Sequence, residues 1–488
     1  MALPPRATAL LLTLVAALLC GLTVRAAPSA AAAQEPAVSY GAGEGAAAKL
    51  SAELCASCHG GDLRGGRASN LLDETWLFGG GDAELFESIR KGRPGTLMIP
   101  FQAVLDDQQI RSLVVLIREL AEKARLEAAT APAEPLNAVR TSEKHAFRLE
   151  TVVEGLDTPW GLEFLPDGRM LVTERPGRLR ILTPGESLGE PIRGVPRVWV
   201  KQDGGLLDVA LHPNYAKNGW IYLGYSTPGA GETSMTAIVR GRVKDGAWVD
   251  QESLYQPPPK AFGAPNEHYG LRFVFDRAGH LFYSIGDRGR PVDAQSLAGP
   301  SGKIHRVLDD GSVPKDNPFV GRAGVDTSIW SYGYRNPQGL AFHPLTGALW
   351  ASEHGPRGGD ELNWIQPGHN YGWPVATYGI NYDGTPISDK TEMEGMDGPV
   401  VQWTPSLAVC GMAFYTGERF PGWKNDLFLG GLVGQQLRRL VIEGHKVVHE
   451  EVLFRKLGRV RAVVNGPDGY LYVALNMPGK IVRLVPAP

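Results

Sequence analysis

A recurring phrase constrains the fold of this 488-residue chain more than any other feature. From His145 onward, a turn rich in Pro, Gly, Asp or Asn leads repeatedly into a short apolar or alternating run. Each occurrence is typical of a tight turn followed by a β-strand. The phrase occurs six times: "LPDGRMLVTE" at 165, "HPNYAKNGWIYLGYS" at 212, "FDRAGHLFYSIGD" at 275, "HPLTGALWASEHG" at 343, "FPGWKNDLFLGGL" at 420 and "GPDGYLYVALN" at 466.

The repeat predicts an all-β, six-bladed β-propeller over residues 146–488. Roughly 340 residues in six blades give about 57 residues per blade, enough for four strands and long loops. A pair of β-sandwiches is the alternative. No long helical pattern follows residue 145, so a doubly wound α/β fold is not favoured. Function is expected on the loops at one end of the central channel.

The front of the chain carries a different signal, "ELCASCHG" at 53–60. Cys55, Cys58 and His59 form the C-x-x-C-H attachment signature of a c-type haem. The two thiols would bond to the haem, and His59 would ligate the iron. A thioredoxin-like pair does not explain the histidine or the lack of a βαβ pattern. A zinc site needs two more ligands, and residues 60–141 contain neither Cys nor His.

Met98 is predicted as the second axial ligand, because it is the only methionine between the haem motif and Met170 and it lies in a Gly/Pro-rich loop. A methionine packed in the core is the alternative. A thioether opposite a histidine raises the haem potential, as electron-transfer cytochromes require. Three helical patterns surround these ligands, one of them with Asp82 as predicted N-cap and Gly92 as predicted C-cap. Residues 40–125 resemble class I cytochrome c domains, which are small and all-α. An Ala/Pro-rich linker is expected at 126–145.

Residues 1–26 read as a secretory signal peptide, because Arg6 precedes an apolar run that ends in small residues. A retained anchor is the alternative, although no stable membrane span is expected. Export to a bacterial periplasm is predicted. The net charge of -3 favours neither nucleic acid nor an anionic membrane as partner. Of the four cysteines, only Cys410 lies outside the signal peptide and the haem motif, so no disulfide framework is expected.

Several polar groups in the propeller region are candidates for chemistry. His268 precedes one predicted strand and Asp287 follows the next, so both reach one end of a blade and could form a general base. A surface histidine and a turn aspartate are the alternative. Arg335 and Asn336 suit a carboxylate or carbonyl oxygen. Arg459 and Arg461 alternate on one strand face and could form an anion site, and a solvated strand face is the alternative. Oxygen-rich loops around Asp360, Glu361, Tyr382 and Asp383 are of the kind that Ca²⁺ accepts.

Together these phrases resemble the soluble pyrroloquinoline quinone (PQQ)-dependent aldose and glucose dehydrogenases over residues 146–488. The resemblance rests on seven phrases in the family's order: "LDTPWGLEFLPDGRMLVTERPGRL", "GGLLDVALHP", "GDRG", "YRNPQGLAFHP", "EHGPRGGDELN", "NYGWP" and "GPDGYLYV". It implies a six-bladed propeller. It implies that His268 accepts the sugar hydroxyl proton and that Asp287 orients it.

The resemblance also implies a set of cofactor contacts. Arg335 and Asn336 would touch the quinone, and Arg459 and Arg461 would pair with its carboxylates. The carbonyls of Gly355 and Pro356 would meet a Ca²⁺ beside the cofactor. Glu361, Tyr371, Tyr382 and Asp383 match positions of a further, structural calcium site.

Two departures from the family pattern bear on cofactor affinity and substrate range. Where the family commonly has Gln before the "GLL" motif, this chain has Asp203, with Gln202 beside it. Where some members have a cofactor-binding Lys, it has Leu432 and Val433.

The predicted function is therefore a periplasmic PQQ-dependent dehydrogenase that oxidises C1 of an aldose to a lactone. Its electrons would pass to the single covalent haem c of the same chain, and then to a downstream cytochrome or respiratory chain. Another alcohol, aldehyde or sugar derivative is the alternative substrate. A calcium-dependent lactonase would need no haem, and a protein-binding propeller would need neither His268 nor Arg335.

Overall fold

The computed structural model describes residues 45–73, 75–128, 135–186 and 188–488. The predicted signal peptide lies outside these residues. Within the described part of the chain, no helix combines the length and apolar character that crossing a bilayer requires.

A small helical domain occupies the front. Its helices are α1 (Ala46–Leu54), α2 (Ala56–His59), α3 (Asp82–Lys91) and α4 (Asp107–Ala128). One apolar cluster holds them together, with Leu85 and Ile89 of α3 against Ile110, Leu113 and Ile117 of α4. The three- and four-residue spacing of these side chains places each set on one helix face.

The caps predicted for α3 are confirmed at its C-terminal end only. Gly92 is the C-cap as predicted, but the N-cap is Gly81, and Asp82 is the first helical residue. The prediction for Asp82 was wrong because its carboxylate is used elsewhere. It accepts hydrogen bonds from Arg118 at 2.8 Å and from Gln402 at 3.2 Å.

Six antiparallel sheets follow, which confirms the predicted six-bladed propeller. Blade one contains β3 (Pro159–Phe164), β4 (Met170–Glu174) and β5 (Arg178–Leu182). Blade two contains β6 (Leu206–Leu211), β7 (Ile221–Pro228), β8 (Ser234–Lys244) and β9 (Ala247–Tyr255), with the short helix α5 (Tyr215–Asn218) between its first two strands. Blade three contains β10 (Phe273–Phe275), β11 (Leu281–Ile285), β12 (Lys303–Val307) and β13 (Ile329–Tyr332).

Blade four contains β14 (Pro337–Phe342), β15 (Leu349–Glu353), β16 (Asp360–Ile365) and β17 (Val401–Trp403). Blade five contains β18 (Val409–Phe414), β19 (Leu427–Gly431), β20 (Gln436–Glu443) and β21 (Lys446–Phe454). Blade six contains β22 (Val460–Asn465), β23 (Leu471–Asn476) and β24 (Gly479–Pro486), completed by β2 (Ala146–Glu154) and β1 (Arg140–Thr141).

The ring closes in two ways. Strand β2, from the start of the propeller, pairs with β24 at its end, with Leu149 opposite Leu484. The first strand of each blade packs beside the first strand of the next, and β22 packs beside β3. The first strands therefore surround the central channel.

The predicted linker is structured at both ends. Helix α4 continues to Ala128, because the alanines that suggested a linker are also good helix formers. Arg140 begins β1, and its guanidinium donates hydrogen bonds to the carbonyls of Pro135, Leu136 and Ala138. These bonds fix the entry of the chain into blade six.

Candidate active site and haem cleft

The loops that carry the predicted propeller residues meet at one end of the channel. His268 precedes β10, Asp287 follows β11, Arg335 precedes β14 and Gly355 follows β15. In an antiparallel blade, the start of the first strand and the end of the second lie at the same end. The backbone N–H of Asp287 also donates to the carbonyl of Arg335 at 2.7 Å, which joins blades three and four.

His268 is held from two sides. Its Nδ1 lies 2.7 Å from Oδ1 of Asp287. Its backbone N–H donates to Oδ2 of Asp203 at 3.2 Å, and its φ of 53° lies in the left-handed region. Non-glycine residues rarely adopt that conformation, and such positions concentrate at functional sites. With Nδ1 bound to the carboxylate, Nε2 is the nitrogen left for a ligand.

Asp287 is fully buried and its carboxylate accepts three hydrogen bonds. Besides His268, Oδ1 accepts from the N–H of Gly289 at 2.9 Å, and Oδ2 accepts from Nε1 of Trp373 at 2.8 Å. Burial alone would raise the pKa of Asp287, but the bond from His268 and the charge of Arg335 outweigh it and lower the pKa. Asp287 is therefore an anion that fixes the tautomer and orientation of His268.

Arg335 connects this pair to the next loop. Its Nη1 donates to the carbonyls of Gly355 at 2.7 Å and His354 at 3.2 Å, and its guanidinium carbon lies 5.7 Å from the centre of the Trp373 ring. Asn336 is buried, and its Oδ1 accepts from the N–H of Gly270 at 2.9 Å. Asn336 thus fixes the loop that presents His268.

The loop between β15 and β16 is pinned by one buried carboxylate. Oδ1 of Asp360 accepts from the N–H of Gly355 at 2.8 Å, and Oδ2 accepts from the N–H groups of Leu407 and Val409 at 2.8 and 3.0 Å. A Cβ on Gly355 would fall 2.3 Å from the carbonyl of Gly359. Glycine is therefore needed where the loop folds back on itself.

A cationic group lies deeper in the channel. Nη1 of Arg461 donates to Gln338 at 2.6 Å, while Arg272 pairs with Asp208 at 2.9 Å and donates to the carbonyl of Arg461 at 3.2 Å. Arg461 is buried and Arg459 is half-buried. Arg461 thus lies within this buried group and Arg459 lies two residues before it, a placement that suits a ligand with several carboxylates.

His354 is an unassigned member of this group. Burial, followed by the charges of Arg461, Arg335, His268 and Arg459, lowers its pKa well below the ordinary value. Its Nε2 is buried and has no hydrogen-bond partner within the described residues. A buried polar atom without a partner among nearby cations fits a site that is completed by an anionic ligand.

The structure divides the predicted calcium residues among different places. The carbonyl of Gly355 accepts from Arg335, and that of Pro356 accepts from Ser406 at 3.1 Å. Each oxygen keeps a second lone pair for a cation. In the described residues, no group of three or more His, Cys, Asp or Glu side chains is arranged to hold a metal ion. The fit to Ca²⁺ beside the cofactor therefore rests on carbonyl oxygens.

Glu361 and Tyr371 line one small cavity with Glu392 and Asp397. Burial raises the pKa of Glu361 to about 7. Tyr382 and Asp383 do not line that cavity. Tyr382 is 66% exposed and its hydroxyl lies 3.4 Å from Arg335, while the Asp383 carbonyl accepts from the N–H of Ala46 at 3.3 Å. The structure thus brings together two of the four residues predicted for the structural site.

The structure also shows the contacts made at the two positions that depart from the family pattern. Asp203 holds the backbone of His268, and the carbonyl of Gln202 accepts from Arg175. Leu432 and Val433 are both buried, and their N–H groups bond to the carbonyls of Ala408 and Leu407. The second departure therefore replaces a cation by packed apolar side chains.

The front domain encloses an apolar cleft of about 510 Å³. Cys55, Cys58, His59 and Met98 all line it. Nδ1 of His59 lies 2.8 Å from the carbonyl of Ser69, which fixes the ring and leaves Nε2 for a metal. The N–H of Arg93 donates to the carbonyl of Met98 at 2.9 Å and holds the methionine loop. The residues present fit a haem with one histidine and one methionine ligand.

Comparisons with known proteins agree with both parts. Residues 156–483 match the Glucose / Sorbosone dehydrogenase family. The chain belongs to that family. Aldose sugar dehydrogenase YliI of Escherichia coli strain K12 is 43% identical to it over 345 residues, which cover 69% of this chain and 92% of that protein.

Solved structures of relatives share the propeller. The crystal structure of a glucose dehydrogenase matches with a TM-score of 0.67 at 43% identity, over 70% of this chain and 99% of that one. The PQQ-bound aldose sugar dehydrogenase from Streptomyces coelicolor matches with a TM-score of 0.58 at 28% identity, over 70% and 98% of the two chains. The predicted class of sugar-dehydrogenase oxidoreductase is confirmed.

The front domain has its own match. Residues 44–117 match the family of cytochrome c oxidase, cbb3-type, subunit III. The chain is thus a glucose/sorbosone dehydrogenase family member with a cytochrome c domain before the propeller, as the sequence predicted.

Sequence reasoning missed two residues of the site. Trp373 lies in "NYGWP" and holds Asp287, and His354 lies directly before the Gly355–Pro356 pair. The signal for His354 was its place beside two predicted contacts. No local signal marked Trp373, because it lies 86 residues from Asp287 along the chain.

Proposed function

We propose that this protein oxidises the C1 hydroxyl of an aldose to a lactone with bound PQQ and delivers the electrons to its own haem c. The observation that carries the proposal is the 2.7 Å pair of His268 and Asp287 beside a group of buried cations, in one chain with a haem cleft. Lactone formation removes one proton from oxygen and one hydride from carbon. The site therefore has to supply a base and hold a hydride acceptor.

His268 supplies the base. Asp287 accepts the Nδ1–H, so Nε2 accepts the proton from the C1 hydroxyl, and the carboxylate stabilises the imidazolium that forms. The side chain of His268 keeps 12% of its surface accessible, whereas that of Asp287 is fully buried. Trp373 keeps the carboxylate in place during this transfer.

The remaining predicted residues would hold the quinone, whose chemistry when bound is to accept a hydride at a carbonyl carbon. Arg335 and Asn336 would contact its carbonyl oxygens, and Arg459, Arg461 and Nε2 of His354 would meet its carboxylates. The carbonyls of Gly355 and Pro356 would hold Ca²⁺, which polarises a carbonyl oxygen as a Lewis acid. Asp203 would act through His268, and Gln202 through the neighbouring backbone.

Cys55 and Cys58 would attach a haem covalently in the front cleft, and His59 and Met98 would ligate its iron. A haem held there would supply one-electron transfer. An external cytochrome or respiratory chain would then take the electrons. The sequence of residues 1–26 supports export, so we place this reaction in the periplasm.

The test is reconstitution of the purified protein with PQQ and Ca²⁺, followed by addition of a panel of aldoses while the haem absorbance is recorded. We expect haem reduction only when quinone and sugar are both present. His268→Ala should lower the rate by at least about a hundredfold, the lower bound for loss of a general base. Haem content should not change.

The chain offers a matched control for this variant. His280 pairs with Asp276 at 2.8 Å in the turn between β10 and β11, at the opposite end of the strands that carry His268 and Asp287. His280→Ala should leave sugar oxidation intact. Equal loss in both variants, or a haem that stays ferric with every aldose, would refute the proposal. Reduction by other alcohols or aldehydes alone would assign a different substrate.

A further inference from the structure

Helix α4 of the cytochrome domain serves two neighbours. Ile110, Leu113 and Ile117 face the apolar core of the haem domain, and Leu113 and Ile117 line the cleft. A second face of α4 meets the propeller and holds residues at spacings of three or four: Arg111, Val115, Glu119, Glu122 and Leu126. The sequence of α4 is therefore built for two interfaces.

The centre of this second face is a buried ion pair between the two domains. Nε and Nη2 of Arg357 both donate to Glu119, at 2.6 to 2.9 Å. The side chains are only 6% and 3% exposed. Two parallel N–H···O bonds in this fork geometry fix both distance and orientation.

Arg357 belongs to the loop at the candidate active site. It directly follows Pro356, and its backbone N–H and carbonyl both bond to Ile380, at 3.2 and 3.0 Å. The loop cannot shift without moving the guanidinium, so Arg357 ties the position of the haem domain to the Gly355–Pro356 segment.

Further contacts surround the pair. Arg111 donates to the carbonyl of Asp389 at 2.6 Å, and Gln402 donates to Asp82 at 3.2 Å. At the far end of α4, Glu122 pairs with Arg455 at 3.3 Å. These contacts are more exposed than the central pair, so they add less to the interface.

We propose that the Arg357–Glu119 pair is a positioning device that holds the haem domain docked on the active-site loop, so that electrons pass within one chain. The proposal rests on the proposed function. It gives electrons a route from the Pro356–Arg357 backbone, across the hydrogen bonds of the ion pair, to the turn of α4 that also carries Ile117, which lines the haem cleft. A docked haem domain stays at one position on the propeller. A haem domain held only by a flexible linker would diffuse around it.

A buried charge pair suits this place because separating the two ions costs much more free energy than forming the pair gains. Two buried partners gain little over apolar residues of the same size, but separating them leaves an uncompensated buried charge. The pair therefore penalises any other orientation of the haem domain. An apolar contact would tolerate sliding.

The test uses the full holo-protein and the variant Glu119→Gln. Loss of one charge should shift the ratio of docked to undocked protein by at least about a hundredfold, the lower end of the cost of breaking a buried ion pair. We expect sugar-driven haem reduction to slow at least about tenfold, while reduction of an artificial dye by the propeller stays within about twofold. Small-angle X-ray scattering should show a larger radius of gyration.

A matched control lies on the same helix. Glu127 is 58% exposed and its partner, Arg64, belongs to the haem domain, at 3.8 Å. Glu127→Gln should behave as wild type. The charge-reversed double variant Glu119→Arg with Arg357→Glu should recover part of the haem reduction and the compact scattering curve, which a general folding defect would not allow.

Wild-type haem reduction and unchanged scattering in Glu119→Gln would overturn the proposal. Scattering needs neither sugar nor quinone, so it separates this proposal from the proposed function. If no sugar reduces the wild-type haem but Glu119→Gln still expands the molecule, docking stands and the proposed function fails.

Discussion

The imidazole of His268 illustrates how single residues are prepared for chemistry in this protein. Asp203 holds its backbone in a left-handed conformation, and Asp287 holds its ring. Asp287 is in turn held by Trp373 and Gly289. This series of hydrogen bonds holds the imidazole rigidly. The base therefore stays within hydrogen-bond reach of a substrate at little entropic cost.

Replacement of Asp287 by asparagine tests the orienting role. The amide keeps the size of the carboxylate but offers no anion to the Nδ1–H, so the imidazolium loses its stabilisation. We expect sugar oxidation to fall by about 10²–10⁴-fold, as in other sites where a base loses its orienting carboxylate. Steady-state assays with the dye measure this. Asp276→Asn, at the far end of the same strands, is the control, and an equal loss there would contradict the assignment.

The same variant gives a pH prediction for stability. The pKa of Asp287 in the folded protein lies below its ordinary value of 3.8. A lowered carboxylate pKa stabilises the fold above the ordinary pKa, and the stabilisation is lost as the pH falls through the folded-state value. At pH 6 the free energy of unfolding of the wild type should exceed that of Asp287→Asn by about 1–3 kcal/mol, the scale of a hydrogen bond to a charged group. The difference should shrink below pH 3.8, as urea unfolding at several pH values will show.

At the scale of elements, the loop between β15 and β16 links the site to the haem domain. Asp360 pins one end of this loop, and Arg357 reaches the cytochrome helix from its middle. Glycines at 355, 358 and 359 let it fold tightly enough to present carbonyls and a guanidinium in opposite directions. A longer or looser loop would uncouple the two surfaces.

Gly355→Ala tests this loop. The new Cβ would meet Gly359 at 2.3 Å, so the backbone must move. We expect a loss of stability of about 1–3 kcal/mol, typical of overpacking, and weaker PQQ binding in a quinone titration. Gly299→Ala is the control, because nothing lies within 4 Å of its Cβ. Wild-type quinone affinity in Gly355→Ala would contradict the predicted role of the loop.

At the scale of the whole molecule, the propeller depends on one closure. Strand β2 comes from the start of the propeller and β24 from its end, so blade six exists only when the ring is complete. Leu149 and Leu484 face each other across this seam and are fully buried in one cluster. The seam therefore joins the first strands of the propeller segment to its last strand within blade six.

Leu484→Ala should cost about 2–5 kcal/mol, the usual range for a buried leucine in a packed core. Thermal unfolding followed by far-ultraviolet circular dichroism measures it. Val448→Ala on β21 is the control, since Val448 is 50% exposed and surface changes usually stay within about 0.5 kcal/mol. Equal unfolding temperatures for the two variants would show that the seam does not limit stability.

The sequence by itself determined the fold class and the blade number, and it predicted the haem ligands, because these depend on local patterns. Turns before apolar runs predict strands. The C-x-x-C-H signature, together with one available methionine, predicts the two ligands of the haem iron. It also predicted that His268 and Asp287 meet, since adjacent antiparallel strands bring their ends together.

Only the tertiary structure decided which distant residues complete the site. Trp373 reaches Asp287 from another blade, Tyr382 and Asp383 lie away from the Glu361 cavity, and Glu119 pairs with Arg357 across 238 residues of chain. These contacts depend on how blades and domains pack, and packing leaves no periodic trace in the sequence. The role of a buried glutamate on an amphipathic helix can be assigned only when the structure shows the surface against which it packs.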